Sequence, residues 1–333
     1  MRVRIAALLA PAVIAVAGVA AAQPPAPAKQ TKWVAAQDVK FRKGKDTDWD
    51  KAPKLGVEFF HDPLAGTVLA INSLGNLAVE GEDLMPSKGA KADWVTGLSF
   101  SVRGAAEEKF TTTTPLFGVE VFRNALPNRL LYVSERAGMA FAPTGAATTD
   151  KDPQFQYGLT LRVRKPGQAA FGPEAKAFGL EAYKDNNTGG MVYITEGGML
   201  AAAAKVPDKA PDTKDVKKPK PLYGLEASVR KADEANFTEK THKVGVEVFQ
   251  DQNTGTLLYI SEAGSIAAVP PPGEVKKDQK LSWMHAMSLK ARPGGEQDFA
   301  KARKYGVEVF KDNHTGYLVY VCETGAIAVL PRK

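Results

Sequence analysis

Three residue types recur together five times along the chain. Arginines stand at Arg42, Arg103, Arg164, Arg230 and Arg292, and seven residues after each comes an aromatic: Trp49, Phe110, Phe171, Phe237 and Phe299. A further nine or ten residues on stands a glutamate, at Glu58, Glu120, Glu181, Glu247 and Glu308. This set can do two kinds of work. A ring offers a flat apolar surface to a pyranose face, and a guanidinium and a carboxylate take hydroxyls in paired hydrogen bonds, which would make a glycan site. Alternatively, arginine and glutamate pair across neighbouring strands of one unit while the ring pins the loop between them. In the third unit Arg164 falls opposite Leu159, Leu161 and Val163, and Glu181 falls opposite Leu180 and Ala182. Strand alternation then puts both charges on one face of the same unit. A residue set kept in every repeat usually serves packing, so the structural pair is preferred over glycan recognition for these fifteen residues.

A second glutamate recurs at Glu135, Glu196, Glu262 and Glu323, with Ser73 in the first unit. Glycosidase chemistry needs two carboxylates at one defined separation, usually in one central site. Acids spread over four or five equivalent places suit a scaffold, so the chain is expected not to be an enzyme. The turns Asp185–Gly189, Asp251–Gly255 and Asp312–Gly316 carry enough oxygens to suggest calcium. Their counterparts Asp62-Pro-Leu-Ala-Gly66 and Asn124-Ala-Leu-Pro-Asn128 lose most of those oxygens, so plain hairpin turns explain them better. Cys322 stands where other units have Ser134, Thr195 and Ser261, the place of a small strand residue. His314 lies in a turn and is expected to be exposed. The four histidines are scattered, and no phosphate-binding glycine loop, Ser-His-Asp order or Cys-x-x-Cys pair is present. No metal and no cofactor are expected.

The elements that must position these residues are short strands. Gly56-Val-Glu-Phe-Phe60 returns as Gly118-Val-Glu-Val-Phe122, Gly179-Leu-Glu-Ala-Tyr183, Gly245-Val-Glu-Val-Phe249 and Gly306-Val-Glu-Val-Phe310, with successive glycines 62, 61, 66 and 61 residues apart. A repeat of this period calls for stacked copies of one supersecondary unit. Each unit reads as four strands. The first alternates, as in Leu159, Leu161 and Val163; the second is the Gly-Val-Glu phrase; an Asp-to-Gly hairpin leads to a third such as Leu257–Ile260; a tight turn leads to a fourth, Ser265–Val269. Prolines 143, 270 and 331 close three of the units. No helical period competes. This four-strand meander resembles a β-propeller blade, and Asp-x-x-Thr-Gly hairpins occur in several propeller families. The resemblance implies an all-β, five-bladed β-propeller, with repeats at about 32–81, 92–143, 154–204, 221–270 and 281–331 of a domain over 32–333. Tandem small β modules, or two packed β domains, are the alternatives, because a dozen or more residues join one unit to the next.

The N-terminus reads as an address. Arg2 and Arg4 precede an uncharged run from Ile5 to Ala22 that ends in Ala20-Ala21-Ala22, and a Pro-rich linker follows over 23–31. That order predicts a signal peptide over 1–22 and a secreted, periplasmic or cell-envelope protein, an uncleaved anchor being the rival. The 333-residue chain carries 44 basic and 37 acidic residues, a net charge of +7, and one cysteine, which excludes an intrachain disulfide framework. Export argues against nucleic acid, and the lysines sit among prolines and aspartates as on a solvated loop surface; weak attraction to anionic envelope polymers is compatible with them. The expected role is a non-enzymatic binding or scaffold module, with a polysaccharide or another envelope protein as partner and no membrane span after signal cleavage. Some propeller lectins resemble the repeated Arg/Glu/aromatic set in kind. A secreted glycan-active hydrolase is the alternative.

Overall fold

The computed structural model describes residues 31–44, 46–86, 91–123, 126–144, 152–203 and 215–332. The expected signal peptide over 1–22, and all but residue 31 of the linker after it, lie outside the described residues. Among the described residues, twenty strands form five four-stranded antiparallel sheets, each built from four consecutive strands. The first blade comprises β1 (Lys32–Lys40), β2 (Lys54–Asp62), β3 (Thr67–Asn72) and β4 (Leu77–Gly81). The second comprises β5 (Asp93–Ser101), β6 (Leu116–Arg123), β7 (Arg129–Ser134) and β8 (Met139–Pro143). The third comprises β9 (Gln154–Val163), β10 (Lys176–Lys184), β11 (Met191–Thr195) and β12 (Leu200–Ala203). The fourth comprises β13 (Lys220–Val229), β14 (His242–Gln250), β15 (Leu257–Ser261) and β16 (Ile266–Val269). The fifth comprises β17 (Leu281–Ala291), β18 (Arg303–Asp312), β19 (Leu318–Cys322) and β20 (Ile327–Leu330).

The last strands of the blades, β4, β8, β12, β16 and β20, neighbour one another in a closed circuit, with β20 returning to β4. They therefore line the axis, and the first strands lie at the rim. The chain is a five-bladed β-propeller. Each connection must carry the chain from the axis back to the rim across three strand spacings, about 14 Å at about 4.8 Å each, so the joining segments cannot be as short as hairpin loops.

Burial follows from this stacking. Each blade lies between two others, so its middle strands have no solvent face: β3, β11, β15 and β19 are buried at every residue. The rim strands, where neighbouring blades splay apart, keep the in–out alternation that makes them legible in sequence. The apolar core is not one mass but five clusters, one in each gap between adjacent blades. Leu159, Leu161, Val163, Leu180 and Ala182 of the third blade pack against Phe249, Leu258 and Ile260 of the fourth. Leu289, Val307 and Tyr320 of the fifth pack against Phe60, Leu69 and Ile71 of the first, closing the ring without a shared strand. Separate tandem modules are excluded, since no blade has a core of its own.

Around the axis the repeat produces layers. Leu77, Met139, Leu200, Ile266 and Ile327 form a buried ring, and the next layer is alanine in all five blades: Ala78, Ala140, Ala201, Ala267 and Ala328. Both layers line an axial cavity of about 280 Å³, with the Arg129–Glu80 ion pair (2.7 Å) also in its wall. No helix of the described residues is long and apolar enough to cross a membrane.

Candidate functional site

The five arginines and five glutamates do pair, but between blades rather than within them. Arg42 binds Glu120, Arg103 binds Glu181, Arg164 binds Glu247, Arg230 binds Glu308, and Arg292 reaches across the ring closure to Glu58. In each, Nε lies 2.6–2.7 Å from one carboxylate oxygen and Nη2 lies 3.1–3.3 Å from the other, the bidentate fork that suits guanidinium to carboxylate. The glutamates are 1–5% exposed and the arginines 13–19%. The hydrogen bond to glutamate raises the pKa of Arg42, Arg103, Arg164 and Arg292 against the opposing effect of burial.

The expectation of a pair inside one unit fails for a local reason. Alternation holds only while the strand lasts, and each first strand ends one or two residues before its arginine: β9 ends at Val163, β5 at Ser101. The chain has already turned at Arg164, so its side chain points at the next blade. The glycine in the first half of each second strand belongs to the same joint. A Cβ on Gly306 would lie 2.1 Å from the backbone oxygen of Arg230, and one on Gly179 would lie 2.2 Å from that of Arg103. Glycine lets the preceding blade's arginine backbone come close, and the glutamate two residues on takes its side chain. Opposite each glutamate is Ala36, Gly97, Gly158, Gly224 or Ala286, small enough to leave room for the guanidinium.

The loop aromatics cap these forks. Trp49, Phe110, Phe171, Phe237 and Phe299 lie with ring centroids 4.3–5.3 Å from the guanidinium carbons of Arg42, Arg103, Arg164, Arg230 and Arg292. Sequence reasoning missed a second set. Trp94, Phe155, Trp283 and Trp33, at the start of the following blade's rim strand, close on Trp49, Phe110, Phe237 and Phe299 at 5.1–6.5 Å between centroids. The indole nitrogens of Trp33, Trp94 and Trp283 each donate to the paired glutamate at 2.7 Å. The signal was present: an aromatic stands nine residues before the arginine in four of the five units, and Pro221 in the other. A β-bulge follows each of these positions and re-aims it outward. Among the described residues, the exposed large apolar side chains are Trp33, Trp94, Phe110, Phe171, Phe237 and Trp283, which belong to these joints and are 36–52% exposed, and Leu64, Leu74 and Met85, which do not.

A second pin holds the ends of the blades where the Asp-to-Gly hairpins lie. Asp185, Asp251 and Asp312 are fully buried. Each caps its own turn, as Asp185 accepts the Asn187 amide at 2.8 Å, and Gly189 adopts φ 76°. The other carboxylate oxygen accepts from tyrosines of the preceding blade: Tyr132 to Asp185, Tyr157 and Tyr193 to Asp251, Tyr223 and Tyr259 to Asp312. At the closure His285 stands in for a tyrosine, 2.8 Å from Asp62. In sequence, Ala70 of the first unit corresponds to these tyrosines and Asn124 of the second to these aspartates; in the fold, Leu126 and Ala70 are buried in the same apolar cluster. His314, expected to be exposed, is 4% exposed, because the segment leading into the fifth blade folds over its hairpin. Its ring stacks on Tyr223 at 3.7 Å, and Nδ1 lies 2.7 Å from the Lys276 carbonyl oxygen. Cys322 is buried, which pushes its thiol pKa up.

The second glutamates anchor the loops of the preceding blade. Glu135 accepts the Gly44 amide at 2.6 Å, Glu196 the Ala105 amide at 2.7 Å, and Glu323 the Ala232 amide at 2.9 Å. Both repeated sets of glutamates are thus occupied by protein donors, and what the joints leave open to solvent is aromatic. Comparison with protein-family models, curated proteins and solved structures gives no match to this chain.

Proposed function

We propose that the chain is an exported, non-enzymatic binding module that uses its blade joints as a ring of aromatic ledges for a repetitive polysaccharide. The observation that carries this reading is the placement of the exposed rings. Apolar surface left at water is costly, yet the repeat keeps indole and phenyl faces outward at every joint while burying their polar partners. The guanidinium and carboxylate set each ring's position, and the ring takes the sugar face. Repetition around a ring suits avidity, since a polymer bound at one ledge meets the next at high effective concentration. The signal-like segment over 1–22 supports export.

The test is binding to a panel of soluble and insoluble polysaccharides, with reducing-end release followed in parallel. Trp94→Ala and Trp283→Ala should each weaken binding, and together weaken it more than tenfold, by loss of avidity of the order such linkage confers. No binding anywhere in the panel, or binding indifferent to both changes, would reject the reading. Turnover abolished by changing a single acid would establish the hydrolase instead.

A further inference from the structure

Four of the five joints close a second ring over the loop aromatic, and one does not. Between the third and fourth blades the register position held elsewhere by Trp33, Trp94, Phe155 and Trp283 is Pro221, paired with Phe249. One face of Phe171 covers Arg164 at 4.8 Å, and no second ring meets Phe171 among the described residues. It is 38% exposed. A groove of about 690 Å³ opens there, lined by Phe171, Pro221, Phe249, Arg162, Lys217 and Lys218. This joint also receives the longest interval of the repeat, 66 residues between glycines, and the added chain brings the lysines.

The basic wall is anchored through the Lys217 backbone and the Arg162 side chain, and its cations make no salt bridge among the described residues. The Lys217 amide donates to Asn253 Oδ1 at 2.9 Å, and Asn253 Nδ2 returns a bond to the Lys217 carbonyl at 3.2 Å. Arg162 is fixed by its bond to the Gly172 carbonyl, 3.0 Å. None of Arg162, Lys217 and Lys218 joins an ion pair among the described residues, whereas Glu226 and Glu247 are engaged by Lys243 and Arg164. An aromatic face beside three cations free of acidic partners selects a ligand that is both ring-shaped and negatively charged.

We infer that the groove between the third and fourth blades is the primary subsite for an anionic pyranose polymer, carboxylated or sulfated, with Phe171 as its platform. This inference rests on the binding role proposed above and narrows its ligand. The experiment measures binding of an oligogalacturonate and a sulfated carrageenan oligosaccharide, against a neutral cello-oligosaccharide and poly-L-glutamate. The unmodified protein should bind one of the anionic oligosaccharides roughly tenfold or more tighter than the neutral one, with affinity falling as salt rises, and the tighter of the two names the acid. Lys217→Glu with Lys218→Glu should reverse that preference, and Phe171→Ala should weaken it. Phe171 also caps Arg164, so its variant is melted first; the two lysines are exposed, and their variant tests the subsite without that risk. Anionic binding unchanged by the lysine reversal, or poly-L-glutamate binding as tightly as the sugars, overturns the inference. Neutral polysaccharide binding that responds to Trp94→Ala but not to these variants overturns it while leaving the ledges standing. Absence of any saccharide binding removes both.

Discussion

Arg230 and Glu308 show what a single joint is worth. With Glu308 1% and Arg230 13% exposed, removing either partner leaves the other charged and desolvated, a loss of about 3–5 kcal/mol, whereas replacing both with apolar residues costs far less. Arg230→Met, Glu308→Leu and the double variant should therefore show strong coupling in urea unfolding. Arg230→Met combined with Glu247→Leu should be close to additive, because Glu247 serves Arg164. Superimposable curves for the first series would refute the buried pair. The tyrosines set an alkaline limit. Burial, before any other cause, raises Tyr132, Tyr157, Tyr193, Tyr223, Tyr259 and Tyr320 well above the ordinary phenol value of 10.0. The unfolded chain loses these protons from about pH 10 and the folded chain keeps them, so their contribution is intact below that pH and drains away above it. The melting temperature should fall steeply above about pH 10, with tyrosinate absorbance rising only as the protein unfolds. Tyrosinate appearing in the intact fold would contradict this.

At the scale of the strand, the repeated glycine of each second strand is set by a neighbour in another blade. Gly306→Ala places a methyl group 2.1 Å from a backbone oxygen that cannot rotate away, so the blades must part, at about 1–3 kcal/mol. Gly172→Ala meets nothing within 4 Å and serves as the control, with no change in melting. The apolar residues of the middle strands answer to packing alone. Ile260 is fully buried between the third and fourth blades, and Ile260→Ala should cost about 2–5 kcal/mol in denaturant unfolding. A loss below 1 kcal/mol would mean that the gap can collapse around the change.

The whole ring is closed by contacts rather than by a shared strand. Arg292 with Glu58, His285 with Asp62, and the Tyr305 hydroxyl on the Ser73 carbonyl (2.6 Å) hold the last blade to the first. Every blade supplies half of two cores, so none can be spared. Deleting residues 281–333 would expose the apolar faces of the fourth and first blades together. The shortened chain should fail to give a monodisperse, cooperatively melting species by gel filtration and calorimetry, while the full chain melts in one transition. A well-folded four-blade monomer would show that the ring can re-close.

The sequence by itself determined the all-β class, the five-fold period, the four strands of each unit and the membership of the arginine, aromatic and glutamate set. Those properties are written in spacing: alternation in Leu159, Leu161 and Val163, glycine at Gly189 and Gly255 where φ is positive, and one phrase returning five times. Partner choice was not legible. Arg230 is closer along the chain to Glu247 than to Glu308, and nothing in a one-dimensional pattern says on which side of a turn a guanidinium emerges. Only the stacking of blades decided that the pairs run from each blade to the next, that Trp94 and Trp283 close over them, and that buried Asp251 and Asp312 answer to tyrosines of the preceding blade. The physical reason is that strands are specified by local periodicity, whereas blade-to-blade contacts join residues far apart in the chain, 53 positions for Tyr259 and Asp312 and 234 for Arg292 and Glu58, whose meeting depends on the closed ring as a whole.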